Sequence, residues 1–239
     1  MNPATVSIQI VEERAQIAAQ ATPNFDRIAG VYRWMEFATF GPWLQWCRCA
    51  FLNELILHQR ALVLGDGDGR FTARLLRINP AISVDAVDAS PAMLRALLRR
   101  AGPSKYRVRP HIVDARLAQS SNFSREESSK IDLVATHFFL DCLTTPEIES
   151  LANNLRQSLA NDAVWVVSEF AIPSGWFGRF IAWPLVSMLY SIFGWLTGLS
   201  VRQLPDYHSA LRNAGFTRLR SRSWLHGLLV SELWQQTGR

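Results

Sequence analysis

Lysine is almost missing from this chain. Lys105 and Lys130 are the only two in 239 residues, so the formal net charge of +5 rests on arginine. A charge of that size suits a nucleic acid or an anionic membrane surface, and equally an ordinary solvated exterior; it does not select a fold. Cysteine is scarce too. Cys47, Cys49 and Cys142 make an odd count without framework spacing, which argues against a secreted disulfide scaffold. Cys47 and Cys49 lie two apart in an expected helix and so face different ways. No CxxC and no Cys/His cluster offers a zinc site, and no metal is expected. The N-terminus carries Glu12, Glu13 and Arg14 where a secretory leader needs an apolar centre. These absences lead to the expectation of a reduced, cytoplasmic protein.

What is present changes character near residue 60. Residues 1–20 read as a polar lead-in. Residues 24–58 are aromatic and apolar, with Gly41-Pro42 as a break, and read as two helices. This gives an expected helical extension or cap over 1–60. From 61 onward, strands and helices alternate. Strands are expected at 61–64, 82–88, 108–113, 131–139 and 163–170, with helices at 71–78 and 91–101 between them. Ser90-Pro91 supplies an N-cap and a proline at the first helical position. Thr145-Pro146-Glu147 opens a helix with Ile148, Leu151, Ala152, Leu155 and Leu159 on one face. Residues 119–130 are polar and serine-rich, a loop or a poor helix. A short helix at 206–214 and two strands around His226-Gly227 close the chain as a hairpin. Alternation of this kind implies a mostly parallel sheet covered on both faces, and the hairpin adds an antiparallel edge. No internal repeat is visible.

The segment Leu62 to Arg70 carries three glycines alternating with Asp66 and Asp68 directly after an apolar run. In such sheets a ligand sits beyond the carboxyl ends of the strands. Glycine belongs there because a side chain would hold the backbone away from the ligand. The dinucleotide fingerprint G-x-G-x-x-G fails, since the sixth position is Arg70 or Thr72 depending on frame. A pyrophosphate would also meet two carboxylates, each contact costing about 4 kcal/mol at ~4 Å and an effective dielectric of ~20. A calcium loop fails because Arg70 and Arg77 fill the positions that need ligands. A cationic nucleotide without phosphate, S-adenosylmethionine, removes the conflict. Asp88, nineteen residues after Gly69, ends the second strand and can accept from ribose hydroxyls. Asp114 ends the third and can accept from an adenine amino group. Thr136 and His137 lie late in the fourth. Singly, each has a bland reading as a cap, turn or packing residue.

With these residues in place, the chain resembles the class I S-adenosylmethionine-dependent methyltransferases over about 61–239. The resemblance rests on residues 61–76, 84–94, 111–117, 131–143 and 204–216. It implies a Rossmann-like, doubly wound seven-stranded sheet with the last strand inserted antiparallel. It further implies that Gly65, Gly67 and Gly69 pass the methionine part of the cofactor, that Asp88 with Ala89 serves the ribose, and that Asp114 and Ala115 flank the adenine. The family commonly has an acid where Val63 stands, so Asp66 is expected to take the ammonium contact. Residues 25–32 are similar to the start of ubiquinone/menaquinone-biosynthesis C-methyltransferases, where a tyrosine in the place of Tyr32 approaches the cofactor.

Methyl transfer needs alignment above all, with a base only for a poorly acidic acceptor. Candidates are His137, Asp141 and Tyr32; none is assigned. Residues 180–201 hold no charge over twenty-two positions, within a broader insert at about 171–203. A membrane span of that length is conceivable, but the closing hairpin must rejoin the sheet on one side. Three readings stay open: a lid over an apolar pocket, peripheral contact with a membrane surface through 176–201 and its tryptophans, or plain core against 24–58. The expected function is methyl transfer to a small, apolar acceptor at oxygen or carbon. The rivals are a non-catalytic cofactor-binding protein and a nucleic-acid methyltransferase using Arg95, Arg99, Arg100, Lys105, Arg107 and Arg109 on phosphates. The latter lacks a base-handling motif after the fourth strand. Nothing in the sequence speaks to oligomeric state.

Overall fold

The computed structural model describes residues 40–115, 130–188 and 204–237. Tyr32, the quinone-enzyme-like stretch at 25–32, most of the serine-rich loop and residues 189–203 lie outside the described residues. Seven strands form one sheet: β1 (Arg60–Leu64), β2 (Ser83–Asp88), β3 (Val108–Ile112), β4 (Ile131–His137), β5 (Leu159–Phe170), β6 (Phe216–Trp224) and β7 (Leu229–Gln236). Their order is β3-β2-β1-β4-β5-β7-β6. The first five run parallel, and β7 enters antiparallel between β5 and β6. The expected mixed sheet with an antiparallel hairpin is what the chain forms.

Helices cover both faces, as buried parallel strands require. On one side, α2 (Arg70–Ile78) and α3 (Pro91–Ala101) press Phe71, Leu75, Leu94 and Leu97 onto Ala61, Val63, Val84 and Ala86. On the other, α4 (Thr145–Arg156) and α5 (Tyr207–Asn213) bring Ile148, Leu151, Leu155 and Leu211 against Leu62, Val134, Trp165 and Val167. A short α1 (Trp43–Arg48) lies against the β6–β7 hairpin. Local signals set the helix starts. Ser90 caps α3 through the Met93 amide. Thr144 and Glu147 close a reciprocal capping box on α4.

Three boundaries depart from expectation. Leu159 extends the helical spacing of α4, but the helix stops at Arg156 and Leu159 starts β5 opposite Ile131. The strand gains four residues at that end and absorbs them with a register shift between Ile131 and Leu133. β4 ends at His137 rather than 139, because Phe138 has φ of +53° and turns the chain out of the ladder. Within 24–58, the described part holds α1 and a single turn at Leu52–Leu55, not a long second helix.

Candidate donor site at the strand ends

The carboxyl ends of five parallel strands meet along one edge. Leu64 sits beside Val87 and Thr136, Asp88 beside Ile112, and His137 beside Ser168. The glycine loop leaves β1 at this edge. Gly65 has φ of +66° and donates its amide to the Val87 carbonyl at 2.9 Å. A Cβ there would come within 2.3 Å of the Phe139 ring, so the close approach demands glycine. Gly67, with φ of +56°, differs: a Cβ would meet nothing nearer than the Met93 sulfur at 4.0 Å. The tip of the loop therefore presents bare backbone to open space, as a cradle for a ligand must. Gly69 is the N-cap of α2.

The two aspartates of the loop are already engaged with groups of the protein itself. Gly69 has no side chain to cap α2, and Asp66 supplies the oxygens, accepting from the amides of Phe71 at 3.2 Å and Thr72 at 2.8 Å. Burial pushes the Asp66 carboxyl up, against the pull of the Thr72 amide. Asp68 pairs with Arg70 at 3.2 Å and Arg100 at 2.7 Å, while Arg100 also bonds the Asp68 carbonyl. These carboxylates shape the loop. They are not two loose negative charges waiting for a sulfonium.

Asp88 is half-buried at the end of β2, with Ala89 beside it. One of its oxygens accepts from the Ser90 amide at 2.8 Å, fixing the turn into α3. Asp114 is half-buried and Ala115 buried after β3. Thr136 is different: it is fully buried on the α4 face, and its hydroxyl accepts from the Trp165 indole at 3.0 Å. Its side chain faces the core and not the strand-end cleft. His137 faces the opposite side, only 3% exposed, its ring 4.2 Å from that of Phe71. Its Nδ1 shares a hydrogen bond with the Ser168 hydroxyl at 2.9 Å, which continues to Ser231. Burial, and then the charge of Arg48, hold the imidazole well below its ordinary pKa, so it is neutral. A histidine enclosed in this way is a poor proton acceptor for a diffusing substrate. Asp141 remains half-buried in the turn Leu140–Cys142.

Glu169 and the turn at Phe138–Phe139 escaped the sequence reading. Glu169, one residue before the end of β5, is 1% exposed, and one oxygen accepts from the amides of Phe139 at 3.0 Å and Leu140 at 2.8 Å. The signal was available: an acid near the carboxyl end of a buried strand obeys the same rule that singled out Asp88 and Asp114. Among the described residues no group of three or more His, Cys, Asp or Glu could hold a metal.

Residues 62–165 match the family described as a methyltransferase domain. Over that stretch the chain is similar to methyltransferase domains. Among solved structures, it is similar to an O-methyltransferase family protein from Burkholderia thailandensis, at 16% identity and a TM-score of 0.67, over 90% of this chain and 61% of that one. It is similar to a mitomycin 7-O-methyltransferase at 12% identity and 0.64, over 89% and 60%. A third is the N,N-8-amino-8-demethyl-D-riboflavin dimethyltransferase of Streptomyces davawensis, at 17% and 0.59, over 90% and 62%. At such identities the likeness speaks for the fold. The chain spans about three fifths of the length of these structures. No curated protein matches it. Class I methyltransferases take S-adenosylmethionine, and the open loop tip at Gly67, with half-buried acids on the next two strands, fits that cofactor.

Proposed function

We propose that this methyltransferase domain moves a methyl group from S-adenosylmethionine to a small, apolar acceptor at oxygen or carbon. One observation carries the donor half: three adjacent parallel strands end side by side in an open glycine tip, Asp88, and Asp114 with Ala115. On this reading the backbone of Gly65–Gly69 lies along the amino-acid part, Asp88 accepts from the ribose, and Asp114 and Ala115 border the adenine. The bound cofactor supplies an electrophilic methyl on a sulfonium. The chain's own work is to hold the acceptor atom in line at roughly 3–3.5 Å. Of the described base candidates, Asp141 alone keeps partial exposure.

The acceptor half is read from the segment just after β5. Phe170 meets Phe138 at 5.0 Å and Phe40 at 5.3 Å between ring centroids. Two residues further on, Ile172, Pro173, Trp176, Phe180 and Trp183 line an open groove of about 830 Å³. Trp176 is 71% exposed, Phe180 69% and Trp183 58%. Such exposure supports a lid or a membrane-facing role for the outer face of 172–183, while Ala182 and Val186 are buried with Phe40, Leu44 and Cys47, which supports the core reading for the described part of 180–201. Among the described residues no helix is long and apolar enough to cross a membrane. The nucleic-acid reading loses ground, because Arg100 is tied to Asp68 and Arg107 donates to the carbonyls of Leu76 and Asn79.

Mass spectrometry of a cell extract incubated with the protein and methyl-labelled S-adenosylmethionine is the direct test. A labelled apolar product is the expected result. Cofactor binding by calorimetry with no labelled product would instead mark a non-catalytic binding protein, which Val63 and the enclosed His137 favour. Asp88→Ala is expected to weaken cofactor affinity at least tenfold with the circular dichroism spectrum unchanged, since hydrogen bonds to a charged group are worth about 1.5–3 kcal/mol. Unaltered affinity would remove Asp88 from the site.

A further inference from the structure

We propose that Glu169 is a positioning residue that holds the turn after β4 and, through Phe139, shapes the donor side of the cleft; this rests on the function proposed above. One backbone angle and four contacts make the chain of cause. Phe138 has φ of +53°, a left-handed conformation that disfavours any residue with a Cβ by about 1–2 kcal/mol. Its amide still reaches the Ser168 carbonyl at 2.7 Å. The next two amides, of Phe139 and Leu140, both donate to the same Glu169 oxygen. A turn with an unfavourable backbone angle is thus clamped by a carboxyl from the neighbouring strand. The clamped residue is the one whose ring sits against Gly65, close enough that a methyl group on Gly65 would overlap it.

The arrangement is asymmetric in a way that a purely structural acid is not. The second oxygen of Glu169 is buried and has no partner among the described residues. Burial, and then the charge of Asp141, push this carboxyl well above its ordinary range, against the pull of the Phe139, Leu140 and Asp141 amides. The positioning is done by the one oxygen that accepts from both amides. A glutamine has the same length and the same accepting oxygen. It should replace Glu169, whereas alanine should not.

The test compares Glu169→Ala, Glu169→Gln and Phe139→Ala, reading S-adenosylmethionine affinity by calorimetry and amide exchange at residues 139 and 140. The expected result is a loss of at least tenfold in affinity for Glu169→Ala, a change within about threefold for Glu169→Gln, and a loss for Phe139→Ala like that of Glu169→Ala. The double variant Glu169→Ala/Phe139→Ala should be no weaker than either single one, as contacts acting through one another are not additive. Exchange at 139 and 140 should quicken in Glu169→Ala and not in Glu169→Gln. Wild-type affinity in Glu169→Ala overturns the proposal, and so does a Glu169→Gln variant as weak as alanine. If Glu169→Ala does not fold, Phe139→Ala with unchanged affinity overturns it alone. If the wild type binds no S-adenosylmethionine, the proposed function falls, and amide exchange still decides the clamp.

Discussion

Glu169 and Glu232 lie on neighbouring antiparallel strands, each only 1% exposed, in opposite surroundings. Glu232 sits on β7 of the closing hairpin among donors. Arg218 reaches it at 2.7 Å, His208 and the Trp234 indole at 3.1 Å, and the Tyr207 hydroxyl at 3.2 Å. Burial raises its carboxyl, but the hydrogen bonds and charges of His208 and Arg218 bring it below its ordinary value. Glu169 has two amides on one oxygen and no partner on the other among the described residues. The difference teaches what a buried acid is for. A carboxylate surrounded by donors is cement between α5, β6 and β7. A carboxyl left half-satisfied at the open end of the strands belongs to the working edge of the molecule, where unmatched polar groups concentrate.

Removing the cement should break this contrast most visibly. Glu232→Ala leaves Arg218, Tyr207 and Trp234 facing an empty site, and stability in urea should fall by about 3–5 kcal/mol. A smaller loss than for Glu169→Ala would reverse the roles of the two acids.

Next in size is the response to pH, where the two acids should act with opposite sign. The raised carboxyl of Glu169 binds a proton in the native state that the unfolded chain gives up near pH ~4.3, the ordinary glutamate value. Its contribution therefore turns against the native state as pH rises from there through its native value, with a slope of at most about 1.4 kcal/mol per pH unit. Glu169→Gln should flatten that decline. Glu232 has a lowered carboxyl, so its contribution is present above the unfolded value and disappears as pH falls through the native one. Glu232→Gln should flatten the acid limb instead. Urea midpoints across the pH range check both, and the same sign for the two variants would end the distinction. The smallest effect is expected from Tyr207→Phe, which deletes one of several donors to Glu232 and should cost about 0.5–1.5 kcal/mol. Thermal melts at fixed pH would show it, and a loss as large as that of Glu232→Ala would mean that Tyr207, not the acid, organises the cluster.

Much of the fold was legible because its signals are local. Capping at Ser90 and Thr144, the glycine loop after an apolar run, and the turn at His226-Gly227 each act within a few residues. Leu159 misled for the same reason: its spacing is helical, but its pairing with Ile131 is a long-range fact. The turn at Phe138 was illegible, since no local feature asks a phenylalanine to take a positive φ. The amides of Phe138, Phe139 and Leu140 are held by Ser168 and Glu169, some thirty residues away. Thr136 was misplaced because late strand position says which end of the sheet a residue occupies, while the alternation of side chains decides which face it joins.

By itself, then, the amino-acid order determined the alternating layers, the parallel run of strands with its antiparallel close, and the edge at which Gly67, Asp88 and Asp114 gather. Periodicity and turn chemistry suffice for that, because each acts over a single turn or strand. The tertiary structure alone decided which acids are engaged and which are not: Asp66 on the head of α2, Asp68 between two arginines, Glu232 ringed by donors, Glu169 half-satisfied. A carboxyl group's charge and role depend on burial and on partners within a few ångströms, and the chain brings those partners from segments far apart in sequence.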